Sequence, residues 1–243
     1  MFKKQTITMA GISLRFRYFL AAAALTPLAS AAVAAPTLTV TIQHLTKAGY
    51  LPLSAAFCEP KGTSAKPLDE SPGLVWSAGP RGTKSYAIIM VDPDVTTNLS
   101  LMNKPGVIIA ANSPRMNIYH WILLNIPADV TRLAPGADGI GWRPGGKPIA
   151  PAPIGTRGTN DYWPFFNKNP KLPARLKGPY AGYDGPCPPA NDALVHDYKF
   201  EVFALDARLP LAGRFFAAQA LAAMRGHVLA QGEADAKFTF TGS

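Results

Sequence analysis

Four polar features interrupt otherwise apolar stretches of this 243-residue chain, and their residue types could do chemistry together. Asp92-Pro93-Asp94 follows an apolar run. His120 lies inside another. Gly185-Pro186-Cys187-Pro188-Pro189 is a stiff loop, and His196 opens the segment after it. Each has a plain alternative. Asp-Pro-Asp is commonly a turn in which the aspartates bond their own backbone. A single inward histidine is commonly a hydrogen-bonded core residue, and a Pro/Gly cluster is commonly only a loop. Their co-occurrence is what suggests a site. Side chains alternate along a strand, so His196 shares a face with Tyr198, Phe200 and Val202. The same count groups His120 with Ile118, Ile122 and Leu124, and Asp92 with Met90, Ile88 and Tyr86. Polar groups buried among apolar neighbours need partners, so these three should satisfy one another around a cavity.

The elements that must position them read as strands. Thr37 to Ile42 (TLTVTI) alternates with the period of a half-buried strand. Ser85 to Val91 and Ile118 to Ile126 are apolar on both faces, as central strands covered on both sides are. His196 to Ala204 alternates again, and Lys237 to Thr241 is the last expected strand. Leu211 to Met224 has helical spacing with Gly226 as its stop. Thr96 to Asn117 and Ala128 to Pro189 show little regular pattern. The 24 prolines are roughly double the ~5% average and argue against a helical bundle. Strands followed by a late helix and a strand imply a mainly β, antiparallel sandwich with a small C-terminal helix.

Residues 1–34 read as a cleaved signal peptide. Lys3, Lys4, Arg15 and Arg17 precede the apolar run Tyr18 to Leu28, and Ala32-Val33-Ala34 offers small residues before a cut after Ala34. Met9 is an alternative start. An uncleaved anchor is the competing reading, but the run is short of the ~20 residues a bilayer needs. One domain, 35–243, remains, expected in the periplasm or secreted. Without the four basic residues the net charge falls from +9 to +5. That mild excess brings weak attraction to anionic surfaces, so membrane contact is expected to be peripheral at most. No Lys/Arg stripe with interleaved aromatics marks a nucleic-acid binder. Cys58 and Cys187 are an even pair in an exported chain, which favours a disulfide over two buried thiols.

In order, Ser71-Pro72…Trp76, Gly82-Thr83-Lys84-Ser85 into Asp92-Pro93-Asp94, His120-Trp121-Ile122-Leu123-Leu124-Asn125-Ile126-Pro127, Asn160-Asp161, Gly185-Pro186-Cys187-Pro188-Pro189, His196-Asp197-Tyr198 and Gly226-His227-Val228-Leu229-Ala230 resemble the bacterial branch of the phosphatidylethanolamine-binding (Raf-kinase-inhibitor-like) family. The likeness spans nearly all of 35–243. It implies a β-sandwich with an anion pocket lined by Asp92, His120, the Gly185-Pro186 backbone and His196, with Asp94 and Tyr198 beside it. Its implied ligand is a small phosphate-like anion or phospholipid headgroup. Its implied partners include kinases or proteases that such proteins inhibit. Two imidazoles and the amides after a glycine would supply donors. Asp92 would orient and charge an imidazole, or meet the ammonium of an ethanolamine headgroup. Departures from the pattern are Val95-Thr96-Thr97 after Asp94, Asp197 where Arg is usual, Asp69 in place of Asn, and extra residues between Thr96 and Asn117. Trp163 to Lys177 is a further aromatic and basic stretch, either a binding lip or a loop packed on the sandwich. A hydrolase using the His/Asp pocket is the alternative function. No Gly-x-Ser-x-Gly elbow or HxxxH-type metal cluster supports it, so a binding protein without catalytic residues, metal or cofactor is expected.

Overall fold

The computed structural model describes residues 36–59 and 67–240. The expected signal peptide lies outside them. A five-stranded antiparallel sheet carries the molecule: β3 (Ser85–Thr96), β4 (Arg115–Pro127), β6 (Thr156–Arg157), β7 (His196–Leu205) and β8 (Val228–Phe238), in the order β6-β4-β3-β7-β8. β1 (Val40–Ile42), β2 (Leu74–Trp76) and β5 (Arg132–Leu133) form a second antiparallel sheet, ordered β1-β2-β5. Among the described residues there are two short α-helices, α1 (Tyr162–Asn167) and α2 (Ala217–Met224).

The large sheet is covered on both faces, which explains the two-sided apolar runs of β3 and β4. Tyr86, Ile88, Met90, Trp121, Leu123, Phe200 and Val202 pack toward the small sheet, against Leu74, Trp76 and Ile42. Ala87, Ile89, Ile122, Leu124 and Phe203 pack against Phe215, Ala217, Ala220 and Met224 at α2. A mainly β sandwich with a small late helix is therefore the architecture.

Several boundaries differ from the sequence reading. The helix begins at Ala217, not Leu211, because Gly213 takes a φ of +66°, which stops a right-handed helix before it starts. The Phe216 amide is met by the Gln219 side chain at 2.8 Å, closing the new N-terminus. The last strand begins at Val228 and ends at Phe238. Its inward positions, Ala230, Gly232 and Ala236, are too small to make a hydrophobic alternation visible. Asp92-Pro93-Asp94 lies within β3 and does not end it. The β3–β4 ladder slips there, from Asp92↔Ile118 to Val95↔Met116, because Pro93 has no amide to donate.

A second slip concerns His120. Met90 pairs with Trp121 but Val91 pairs with Tyr119, leaving His120 as an extra residue on β4. Such a bulge reverses the alternation. Ile122 and Leu124 face α2. His120 instead faces the sandwich interior, its ring 5.4 Å from that of Tyr198. Grouping His120 with Ile122 and Leu124 by simple parity therefore fails, and only the bulge brings this histidine to the face that carries Asp92 and Tyr198.

Candidate functional site

At one end of the large sheet, Asp92 from β3 and His196 and Tyr198 from β7 meet the bulged His120 of β4. Asp92 is 1% exposed. Its Oδ1 accepts the Asp94 amide at 2.8 Å, and its Oδ2 lies 2.7 Å from His196 Nδ1. His196 Nε2 lies 3.4 Å from Asp192 Oδ2, and Arg115 donates to Asp192 from its two terminal nitrogens, Nη1 and Nη2, at 2.6 and 3.0 Å. The result is a chain Asp92–His196–Asp192–Arg115 that alternates acidic and basic residues, fully buried at Asp92 and His196. Burial works against charging His196, but the hydrogen bonds and charges of Asp92 and Asp192 outweigh it and hold the imidazole above its ordinary pKa. For Asp192 burial also opposes the charge. Hydrogen bonds from Arg115, the Leu194 amide and His196 reverse that and hold the carboxyl below its ordinary range.

His120 is built differently. Its Nδ1 is 3.0 Å from the carbonyl oxygen of Asp184, which can only accept, so the proton sits on Nδ1. Burial pushes its pKa down, more than the nearby Asp92 and the Asp184 carbonyl push it up. Edge-on contacts with Tyr162 at 5.2 Å and Tyr198 at 5.4 Å fix its plane. Tyr198 is fully buried, and its hydroxyl lies near Asp92 without a well-formed hydrogen bond to any protein group. Burial first and Asp92 second raise its pKa, so it stays a neutral donor. These groups surround a cavity of about 40 Å³ lined by Asp92, His120, Tyr162, Phe165, Cys187 and Tyr198, among others. At 10–15 Å³ for each water-sized centre, it admits a few waters or one small polar group, not a whole lipid headgroup.

The Gly185–Pro189 loop forms one wall, but not as the resemblance implied. The Gly185 amide is donated to Asp69 Oδ1 at 2.8 Å, and its carbonyl accepts Tyr162 Oη at 2.8 Å. It is therefore no free donor. A Cβ at Gly185 would overlap the Ala55 carbonyl oxygen, so glycine is required for close approach, not for anion contact. Pro186 accepts the Phe57 amide at 3.0 Å, and Cys187, Pro188 and Pro189 face the cavity. The Cys58–Cys187 disulfide is formed and ties this loop to the segment after Phe57. Asp94 turns aside: its Oδ2 accepts the Asp197 amide at 2.8 Å. His196 stands behind Asp92, with both ring nitrogens committed to carboxylates. The Asp197 amide, at the Arg-to-Asp position, thus helps to hold the bulge.

Sequence reasoning missed the support beneath this floor. Lys147 contacts the carboxylates of Asp69 and Asp184 and the Tyr183 carbonyl, and Arg157 binds Asp138 at 2.7 Å. All five charged side chains are buried, three acids against two bases. Burial, with the Asp184 charge added, pushes Asp69 up to about 8 despite Lys147. Arg115, Asp192, Lys147 and Tyr162 lie in segments without periodic pattern, so nothing in their spacing marked them. The Trp163–Lys177 stretch packs on the body of the domain, with one ring at the cavity. Phe165 lines the cavity, while Phe166 stacks on Tyr180 at 4.8 Å and Trp163 meets Phe216 at 5.7 Å. Among the described residues, no group of three or more His, Cys, Asp or Glu is placed to hold a metal ion.

Comparison with known proteins places this architecture. Residues 41–239 match the sequence profile described as "Phosphatidylethanolamine-binding protein". The chain is 35% identical to the UPF0098 protein YbcL of Escherichia coli over 56% of its length, spanning about half (52%) of that relative. It is 33% identical to a UPF0098 protein of Chlamydia muridarum, over 72% of this chain and 85% of that one. The crystal structure of E. coli YbcL, described as a new member of the mammalian PEBP family, superposes with a TM-score of 0.56 at 27% identity, covering 83% of this chain and 97% of that one. A putative PEBP homolog from Chlamydia trachomatis, at 24% identity and a TM-score of 0.55 over 84% of this chain and 99% of that one, shares the fold. The chain belongs to the phosphatidylethanolamine-binding protein family.

Proposed function

We propose that this protein is an exported binding and regulatory protein, not an enzyme, and that it holds a small phosphate-like group at Asp92, His120 and Tyr198. The Tyr198 hydroxyl carries the reading: a fully buried polar group beside Asp92 without a well-formed hydrogen bond to protein, at the wall of a small cavity, is what a site completed by a ligand leaves. The cavity's volume admits the phosphate group and leaves the rest of a larger molecule outside. Export is supported by the basic and apolar start of the chain and by a disulfide, since disulfides persist in oxidising compartments. Among the described residues no helix is long and apolar enough to cross a membrane. Inhibition of a kinase or protease is the kind of output the family resemblance implies. Displacement of the ligand by a partner's phosphate would couple the two.

A hydrolase remains the second reading, favoured by one observation: His120, anchored through Nδ1 to the Asp184 carbonyl, has the carboxylate of Asp92 nearby, as a general base would. In His196 both ring nitrogens are committed to carboxylates. Isothermal titration with inorganic phosphate and phosphoethanolamine tests the first reading. Binding is expected in the wild type and is expected to weaken about tenfold or more in Tyr198→Phe and His120→Ala. Equal affinity in all three proteins would remove the site. Turnover of a phosphomonoester, lost in His120→Ala, would instead establish the hydrolase.

A further inference from the structure

The buried cluster beneath the cavity takes no part in ligand binding, yet it encloses an amine and two carboxyl groups in mutual contact. Lys147 is 3% exposed, Asp69 0% and Asp184 1%. Lys147 Nζ contacts Asp69 Oδ2 and donates to Asp184 Oδ1 at 3.2 Å and to the Tyr183 carbonyl at 2.6 Å. The lysine stem has little room to move, since a Cβ at Gly139 would overlap its Cδ and Cε. Asp69 is held as firmly. Its backbone takes a φ of +49°, its amide donates to the Ala56 carbonyl at 3.1 Å, and its Oδ1 accepts the Gly185 amide at 2.8 Å. With Asp138 and Arg157 added, three acids face two bases away from water. Full ionisation would leave a negative charge uncompensated in the interior, where it is costly, so one carboxyl group of the cluster carries a proton. Asp69 is the group that burial, with the Asp184 charge added, pushes up to about 8 despite Lys147.

We propose that Lys147 and Asp69 condense into an intramolecular isopeptide bond, with Asp184 as the proton carrier. A desolvated lysine amine is a nucleophile, and Asp184 is placed to take the proton that frees its lone pair. Nζ attacks Asp69 Cγ while the Gly185 amide stabilises the charge growing on Oδ1. Asp184 passes its proton to the hydroxyl at Oδ2, the C–O bond breaks and water leaves. The nitrogen then gives a second proton to Asp184. Ammonium, carboxylic acid and carboxylate thus become amide, water and carboxylic acid, with no oxidant or other reactant. The remaining N–H keeps the Tyr183 carbonyl as its acceptor. Fixed contact replaces diffusion, and the amide removes charges whose burial is costly, so the interior favours a condensation that bulk water does not. The bond joins residues 78 apart in sequence and fixes Asp69 under the Gly185 loop independently of the disulfide.

The test is intact-mass spectrometry of the purified wild-type protein, unfolded and with its disulfide reduced, followed by proteolysis and tandem mass spectrometry. The expected mass is that of the chain with its observed N-terminus, less one water. The expected digest contains a branched peptide joining Asp69 to Lys147. Asp69→Ala and Lys147→Arg should keep their full mass. Asp69→Asn should lose one ammonia in place of one water, because the leaving group is then the amide nitrogen. Asp184→Asn, which cannot take the proton, should slow bond formation at least about a hundredfold and so retain its full mass. Wild-type protein at full mass, with Lys147 open to an amine-labelling reagent once unfolded, would overturn the proposal. A branch from Lys147 to Asp184 would overturn the choice of Asp69. The wild-type measurement decides the matter even if every variant misfolds.

Discussion

Asp92→Asn probes the buried chain behind the cavity with the least change in volume. The asparagine Oδ1 can still accept the Asp94 amide, now at 2.8 Å. Its Nδ2 then faces His196 Nδ1, now 2.7 Å from Asp92 Oδ2, donor against donor. A hydrogen bond to a charged group is worth about 1.5–3 kcal/mol, and a buried donor left unpaired costs about 1–3 kcal/mol. We expect a loss of about 2–3 kcal/mol at about pH 5.5. The sign with pH follows from His196. Burial lowers its pKa, but Asp92 and Asp192 more than offset that, so the folded value lies above the unfolded one of about 6.5. The stabilisation is complete below about pH 6.5 and is lost as pH rises through the folded pKa. The gap between variant and wild type should therefore be larger at about pH 5.5 than at about pH 9. Urea denaturation at both values measures it, and an NMR titration should show the His196 pKa falling in the variant. An equal gap at both pH values, with His196 titrating unchanged, would refute the assignment.

Other perturbations separate support from site. Lys147→Met leaves Asp69 and Asp184 buried without their cation, and urea denaturation should show a loss of about 3–5 kcal/mol. Tyr198→Phe removes a hydroxyl that makes no well-formed hydrogen bond to protein, so denaturation should move by less than about 1 kcal/mol while phosphate affinity falls. Reducing Cys58–Cys187, 129 residues apart in sequence, should cost about 2–5 kcal/mol, read by comparing oxidised and Cys58→Ser, Cys187→Ser proteins in urea. Gly185→Ala should lose about 1–3 kcal/mol, because the added methyl must displace the Ala55 carbonyl.

The layered β architecture was legible because the central strands are long and apolar on both faces, and composition excluded a bundle. Convergence of Asp92, His120 and His196 was also legible, but for His120 the parity argument gave the wrong neighbours. A bulge changes the face of one residue through backbone geometry, and nothing in Ile118-Tyr119-His120-Trp121 announces it. β8 was underestimated because its inward residues are alanine and glycine, which bury little area each. The Lys147, Asp69, Asp184, Arg157 and Asp138 cluster was invisible for another reason. Four of its members are scattered through the pattern-less stretch Ala128 to Pro189 and Asp69 lies well before it, and only the fold brings them within hydrogen-bond range. The Gly185 amide seemed free from the motif alone, since its acceptor, Asp69, lies 116 residues away.

The central claim is that a ligand enters between His120, Asp92 and Tyr198, with His196 held behind them. Recording the imidazole carbon-bound proton resonances of the wild-type protein during a titration with inorganic phosphate addresses it directly. The account predicts a saturable shift of the His120 resonances and a smaller one at His196, both lost in Tyr198→Phe. Resonances that stay put at every phosphate concentration, or that move only at the surface histidine His227, would contradict it.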